Sequence, residues 1–193
     1  MCRSSTANAD QTAVAARRVP SWLLGAPLLL LAACGPEDSL DWCLERQDPD
    51  TVPATGSLII SYDGRFAKGP VNIEAHVKNV LRAGVITKGC GTDEDGTLWR
   101  FFGGWSIPEG TPPEQPLVSD PNGVNLSGDF VVCKGGSCRG GETRIVGFRE
   151  SWEGTVHSFD LDGGSLAAEA FSEDGFGVEV RVQADLSWPP MSP

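Results

Sequence analysis

The segment Phe176-Gly177-Val178-Glu179-Val180-Arg181-Val182-Gln183-Ala184-Asp185-Leu186 has the most regular pattern in the chain. From Val178 to Leu186 every second residue is apolar, and the residues between them are polar or charged. Successive side chains of a β-strand point to opposite faces, so this alternation predicts a strand with one face in a core and the other in water. Such a strand is stable only beside other strands, and the rest of the sequence contains candidates for them.

Similar alternation predicts several more strands, over residues 58–62, 99–105, 126–133, 144–149, 155–161 and 165–171. Trp99, Phe101 and Trp105 fall on one face and are predicted core residues. The segment from Ser106 to Gly123 is rich in proline and is predicted to be a long surface loop. About eight strands with short turns predict an all-β fold, an antiparallel β-sandwich or barrel.

The segment 72–83 fits two structures. Val71, Ile73, Ala75 and Val77 alternate with polar residues, as in a half-buried strand, but several apolar residues also recur at helical spacing and Gly84 could end a helix. The β-branched content and the strand-rich surroundings favour the strand.

Six cysteines are present, of which Cys2 and Cys34 lie near the amino terminus. The other four, Cys43, Cys90, Cys133 and Cys138, are expected to form disulfides in an exported chain. Their spacing is poor for zinc, because Cys133 and Cys138 are the only close pair. We expect Cys133 to pair with Cys138 and, by elimination, Cys43 with Cys90.

The amino-terminal segment has the layout of an export signal. Arg17 and Arg18 precede a short apolar run from Trp22 to Ala33, which contains Gly25 and Pro27. A membrane-spanning helix needs about 20 apolar residues, so a retained anchor is disfavoured. An ordinary cleaved signal peptide is the other alternative.

Leu31-Ala32-Ala33-Cys34 resembles the lipobox of bacterial lipoproteins. That resemblance implies diacylglycerol transfer to the Cys34 sulfur, cleavage before Cys34 and acylation of the new amino terminus. Together with the Pro, Asp and Glu content of residues 35–56 and the strand pattern that follows, it predicts three segments: a cleaved signal peptide at 1–33, a lipidated tether with a possible short helix at 34–56, and a single β-domain at 57–193. For bacteria with two membranes, the resemblance further implies the outer membrane over the inner one, because Gly35 and not Asp follows the cysteine.

The formal net charge of −11 repels phosphate backbones, so a nucleic-acid partner is not expected. The expected partners are the membrane, through the lipid anchor, and an envelope protein or glycan. We expect no cofactor and no metal. In particular, the acids of the turns near Asp160, Asp162, Glu173 and Asp174 are interpreted as solvated, because successive hairpin turns lie at opposite ends of the strands and cannot share a calcium ion.

No pattern identifies a catalytic residue. Ser137 and Ser165 are interpreted as turn residues, His76 as solvated on the polar face of its strand, and His157 as partly buried. Short-range carboxylate pairs, such as Glu150 with Glu153, arise readily in so acidic a chain. The expected function is therefore a non-enzymatic binding or structural module of the cell envelope. Two alternatives remain: an envelope glycan hydrolase using a carboxylate pair, and a carbohydrate-binding module using exposed tryptophans from the set Trp99, Trp105 and Trp152.

Overall fold

A computed structural model describes residues 50–80, 84–120, 122–134, 138, 142–148 and 150–191. The chain divides into two compact units, 1–33 and 34–193, and all described residues belong to the second. Regular structure within the described ranges consists of twelve strands: β1 (Val52–Pro53), β2 (Thr55–Tyr62), β3 (Val71–Asn72), β4 (Glu74–Val80), β5 (Gly84–Thr92), β6 (Leu98–Ser106), β7 (Gln115–Pro116), β8 (Asn125–Cys133), β9 (Glu142–Val146), β10 (Glu153–Asp160), β11 (Ser165–Glu173) and β12 (Glu179–Ser187).

The strands form two six-stranded sheets, which pack as an antiparallel β-sandwich. The first sheet has the order β1-β4-β5-β6-β8-β9, and the second has the order β3-β2-β12-β11-β10-β7. Every strand pair is antiparallel. The predicted fold class is confirmed, with more strands than expected. Three of the additional strands, β1, β3 and β7, are only two residues long.

The alternation of apolar and polar residues along β12 is matched by its burial. Val180, Val182, Ala184 and Leu186 are at most 5% exposed and lie in the core between the sheets. Strand β12 pairs over its full length with β11 on one side and along β2 on the other, so it occupies the middle of the second sheet.

The ambiguous segment is a strand, and the helical alternative is wrong. Residues Glu74–Val80 form β4, with Ala75 and Val77 facing the core; residues 81–83 lie outside the described ranges. Strand β5, which follows, was not predicted. It contains three glycines, Gly84, Gly89 and Gly91, which lower strand propensity and masked it in the sequence.

The chain crosses from one sheet to the other at two places near its first strands. It moves from β1 in the first sheet to β2 in the second at Ala54, and from β3 in the second sheet to β4 in the first at Ile73. Backbone hydrogen bonds hold both crossings, from Ala54 N to Ala75 O (2.9 Å) and from Ile73 N to Leu58 O (2.7 Å). Among the described residues, strand pairing therefore begins at Val52, inside the segment 34–56 that was predicted as a tether.

The proline-rich segment between β6 and β8 is mostly loop, as predicted, but it includes the edge strand β7. Gln115 and Pro116 pair with Val156 and Thr155 of β10. Proline is tolerated there because an edge strand does not need to donate every backbone hydrogen bond. Among the described residues, no helix is long and apolar enough to cross a membrane.

Candidate functional site

The two histidines lie apart, on different sheets. His76 lies on the outer face of β4, directly opposite Lys88 of β5, and is partly exposed, as expected. The expectation for His157 is wrong: its side chain is exposed, because it occupies a β-bulge between Val156 and Ser158. Its Nδ1 lies 2.9 Å from Glu114 Oε2 in the neighbouring loop. The structure therefore does not bring the histidines together.

The described tryptophans belong to the core. Trp99, Trp105, Trp152 and Trp188 are each at most 4% exposed. The indole N–H of Trp99 donates to Asp93 Oδ2 (3.0 Å), and that of Trp105 donates to the Thr87 hydroxyl (3.0 Å). Side chains buried in this way cannot form the exposed stacking platform that a carbohydrate-binding module would need.

One predicted carboxylate pair does line a depression. Glu150 and Glu153 surround a cavity of about 610 Å³ together with Glu173 and Glu179, and Phe171 contributes an apolar wall. All four glutamates are exposed, and Glu173 lies directly opposite Glu179 across the β11–β12 pair. A general acid needs a desolvated setting, which exposed glutamates lack.

Asp129, on the outer face of the first sheet, is partly buried but lies elsewhere. Burial raises the pKa of its carboxyl, although Arg144 and Arg100 act in the opposite direction. Arg144 Nε lies 3.6 Å from Asp129 Oδ2, and Phe102 lies directly across the strand pair. Asp129 does not line the glutamate depression. The requirements of a two-carboxylate mechanism are thus divided between two places.

The interpretation of Asp174 as a solvated turn acid is wrong. It is 6% exposed, and its carboxylate accepts hydrogen bonds from the Tyr62 hydroxyl (2.8 Å) and from the backbone N–H groups of Phe176 (2.8 Å) and Val178 (2.9 Å). Burial by itself raises the pKa of Asp174, but these hydrogen bonds and the nearby Arg65 outweigh it, so the pKa lies below its usual range. Burial, and then the neighbouring carboxylate, raise the pKa of Tyr62.

The other predicted turn acids have simpler surroundings. Asp160 accepts a hydrogen bond from Gly163 N (2.8 Å) within its own turn, and Asp162 is exposed. Ser165 is the first residue of β11, directly after the turn, whereas Ser137 lies outside the described residues. Within the ranges that the structure describes, no group of three or more His, Cys, Asp or Glu residues is placed to hold a metal ion.

An aromatic and cationic cluster that sequence reasoning missed lies beside Asp174. Arg65, in the β2–β3 loop, places its guanidinium carbon 4.3 Å from the ring centroid of Phe66 and 3.8 Å from that of Phe176. The two rings belong to different loops, and their centroids are 6.1 Å apart. We call Arg65, Phe66 and Phe176 the aromatic tip. The only sequence signal was an apolar Phe176 next to two turn glycines.

The cysteines of the described residues form a second, smaller apolar cluster. Cys133 and Cys138 are joined by a disulfide, and Cys90, Leu98, Val131 and Cys133 are buried together with Cys138 packed against them. Cys90 is also disulfide-bonded. Cys43, its predicted partner, and the lipidation residue Cys34 lie outside the described residues, so both assignments stay predictions.

No family model, curated protein or solved structure matches the chain.

Proposed function

We propose that the chain is a lipoprotein of the bacterial cell envelope, anchored by acyl chains on Cys34, whose β-domain binds a partner without catalysing a reaction. The observation that carries the proposal is the Leu31-Ala32-Ala33-Cys34 motif, placed after a pair of arginines and a short apolar run. Gly35 supports the outer membrane as the address. One acyl chain binds a bilayer only marginally, whereas several together anchor a protein stably.

Two features of the described residues support binding over catalysis. The four glutamates of the depression are exposed, and Asp129, a partly buried carboxyl, lies elsewhere. The aromatic tip, in contrast, exposes a large apolar side chain, Phe176, which is 62% exposed. Exposed aromatic and arginine side chains are typical of binding surfaces.

The anchor is tested by fractionation of cells grown with labelled palmitate. The wild-type protein should carry the label and partition into the detergent phase, and Cys34→Ser should do neither. Cys2→Ser is the matched control, because that cysteine lies outside the motif, and it should behave as wild type. Continued membrane attachment and labelling of Cys34→Ser would contradict the proposal.

The glutamate depression favours a second candidate, an envelope glycan hydrolase that uses Glu150 and Glu153. It is tested by incubating the full chain with purified cell-wall glycan and measuring released reducing ends. Loss of measurable release in both Glu150→Gln and Glu153→Gln, but not in the exposed Glu142→Gln, would favour the hydrolase. Absence of release by the wild type would favour the binding role.

A further inference from the structure

The aromatic tip holds an arginine whose hydrogen-bonding groups are unused. The Arg65 side chain is exposed, and it forms no hydrogen bond or ion pair with any other described residue. Its contacts are the two ring faces, which attract the cation and limit its motion. A guanidinium carries five N–H donors in a planar fork, and these donors remain available to a ligand.

The loops that carry the tip are held by the protein's own hydrogen bonds. On the β2–β3 side, Gly64 N donates to Ala67 O (3.2 Å) and Gly69 N donates to Tyr62 O (2.9 Å). On the β11–β12 side, the buried Asp174 carboxylate binds the N–H groups of Phe176 and Val178. The two sides are joined by the Tyr62–Asp174 hydrogen bond. The tip is therefore ordered before any ligand arrives, which lowers the entropy cost of binding.

The aromatic tip lies at one end of the second sheet, and the chain enters that sheet at the opposite end. Thr55 begins β2 opposite Ser187, and Tyr62 ends β2 opposite Val180, next to the turn that carries Phe176. Seven residue steps of about 3.4 Å separate these ends by about 24 Å. The aromatic tip is thus remote from Thr55, the residue at which the chain enters this sheet.

We propose that the aromatic tip binds a carboxylate group that lies next to an apolar side chain, as at the carboxy terminus of a peptide. The guanidinium edge of Arg65 would form paired hydrogen bonds with the carboxylate oxygens, and the exposed ring of Phe176 would contact the apolar group. This inference deepens the proposed binding role and rests on it, but it does not depend on the lipid anchor.

The charge of the chain favours a small carboxylate ligand over a polyanion. The net charge of −11 repels an anionic membrane surface or a phosphate polymer, whose many charges act together. A single carboxylate in contact with Arg65 feels the cation directly, whereas salt screens acids more than about 10 Å away. Asp174 lies closer to Arg65, but its carboxylate is already engaged by the Tyr62 hydroxyl and two backbone N–H groups. Arg65 is also distinct from Arg181, which is already engaged by Glu169 (2.8 Å) and Glu179 (3.0 Å).

The proposal is tested with the full chain in detergent, labelled with ¹⁵N at arginine, and titrated with N-acetyl-phenylalanine while the Arg65 Nε–H resonance is followed by NMR. The carboxamide analogue has the same ring without the charge and should bind at least about tenfold more weakly. Arg65→Gln and Phe176→Ala should weaken binding of N-acetyl-phenylalanine. Because Arg65→Gln lacks the reporting resonance, binding to the variants is measured by the line broadening of the ligand signals. The matched control Arg181→Gln should bind as wild type.

Three results would overturn the proposal. They are no shift of the Arg65 Nε–H resonance at 20-fold or greater ligand excess, roughly equal binding of the carboxamide and the acid, or an equal loss of binding in Arg181→Gln. Arg65-dependent flotation with phosphatidylglycerol vesicles, without peptide binding, would identify a lipid surface and reject the peptide. Unchanged thermal unfolding of Arg65→Gln would show that the variant is folded. Failure of this test is distinguishable from failure of the proposed anchor, which is measured on Cys34→Ser by a separate assay.

Discussion

Replacement of Asp174 by alanine should destabilise the domain far more than its position in a hairpin turn suggests. The change removes the acceptor of three hydrogen bonds, from the Tyr62 hydroxyl and from the N–H groups of Phe176 and Val178. Near the exposed Phe176, water can replace the carboxylate as acceptor for the backbone groups. The Tyr62 hydroxyl cannot reach water as readily, because Tyr62 is 2% exposed.

Hydrogen bonds to a charged group contribute about 1.5–3 kcal/mol each, and an unsatisfied buried donor costs about 1–3 kcal/mol. With partial compensation by water, the free energy of unfolding should fall by about 3 kcal/mol, which corresponds to a decrease in Tm of roughly 10 °C for a domain of this size. Tyr62→Phe removes one bond and leaves the carboxylate with its two backbone donors. It should cost about 1 kcal/mol.

The measurement is urea unfolding followed by the fluorescence of the buried tryptophans, for both single variants and the double variant. The double variant should be less destabilised than the sum of the singles, by about 1–2 kcal/mol, because it has no unpaired hydroxyl. Asp162→Ala is the matched control, since Asp162 is an exposed acid in the other hairpin turn, and its effect should stay within about 0.5 kcal/mol. Equal effects of Asp174→Ala and Asp162→Ala, or strict additivity with Tyr62→Phe, would refute the reasoning.

Four other outcomes are expected. Burial raises the pKa of Asp174, but its hydrogen bonds outweigh this and lower it, so the carboxylate stabilises the folded state at neutral pH and this stabilisation is lost as pH falls below about 4. The stability difference between wild type and Asp174→Ala should therefore shrink from pH 7 to pH 2, and a constant difference would contradict this. The double variant Cys133→Ser/Cys138→Ser should lose about 2 kcal/mol in urea unfolding, whereas unchanged stability would mean that the disulfide constrains nothing. Gly154→Ala should cost about 2–4 kcal/mol, since its φ is 140° and a Cβ would lie 2.1 Å from a carbonyl oxygen, while Gly175→Ala, with open space around it, should cost little. Millimolar calcium should leave Tm within about 1 °C of its value in chelator; a rise of several degrees would reveal a site that the described residues do not form.

The sequence by itself determined the strands whose alternation is complete. In strands β2, β8 and β12 the buried apolar residues lie at alternate positions, with Gly128 among them in β8, and the core residues Trp99 and Trp105 follow from the same rule. A period of two is a local property of the strand backbone, so it can be read without knowing the neighbours. Asp160 and Asp174, in contrast, look alike in the sequence, as acids at hairpin turns, and only one of them is buried.

Tertiary structure decided where a strand requires glycine. A Cβ on Gly89 would lie 2.1 Å from Glu74 O, and a Cβ on Gly91 would lie 2.4 Å from Asn72 O, so β5 needs glycine where it passes the crossing of β3 into β4. Local propensity opposes a strand rich in glycine, and close approach of two backbones requires it. The segment 84–92 was missed for this reason.

Tertiary structure also decided the composition of the aromatic tip. Arg65 and Phe176 lie far apart in the sequence and meet because β12 pairs with β2, with Val180 opposite Tyr62. A shift of this register by one residue would turn β12 over relative to the core, so the apolar pattern of both strands fixes it. The sequence determines which face of each strand is buried; the pairing of strands determines which loops become neighbours, because those contacts join residues that no local pattern relates.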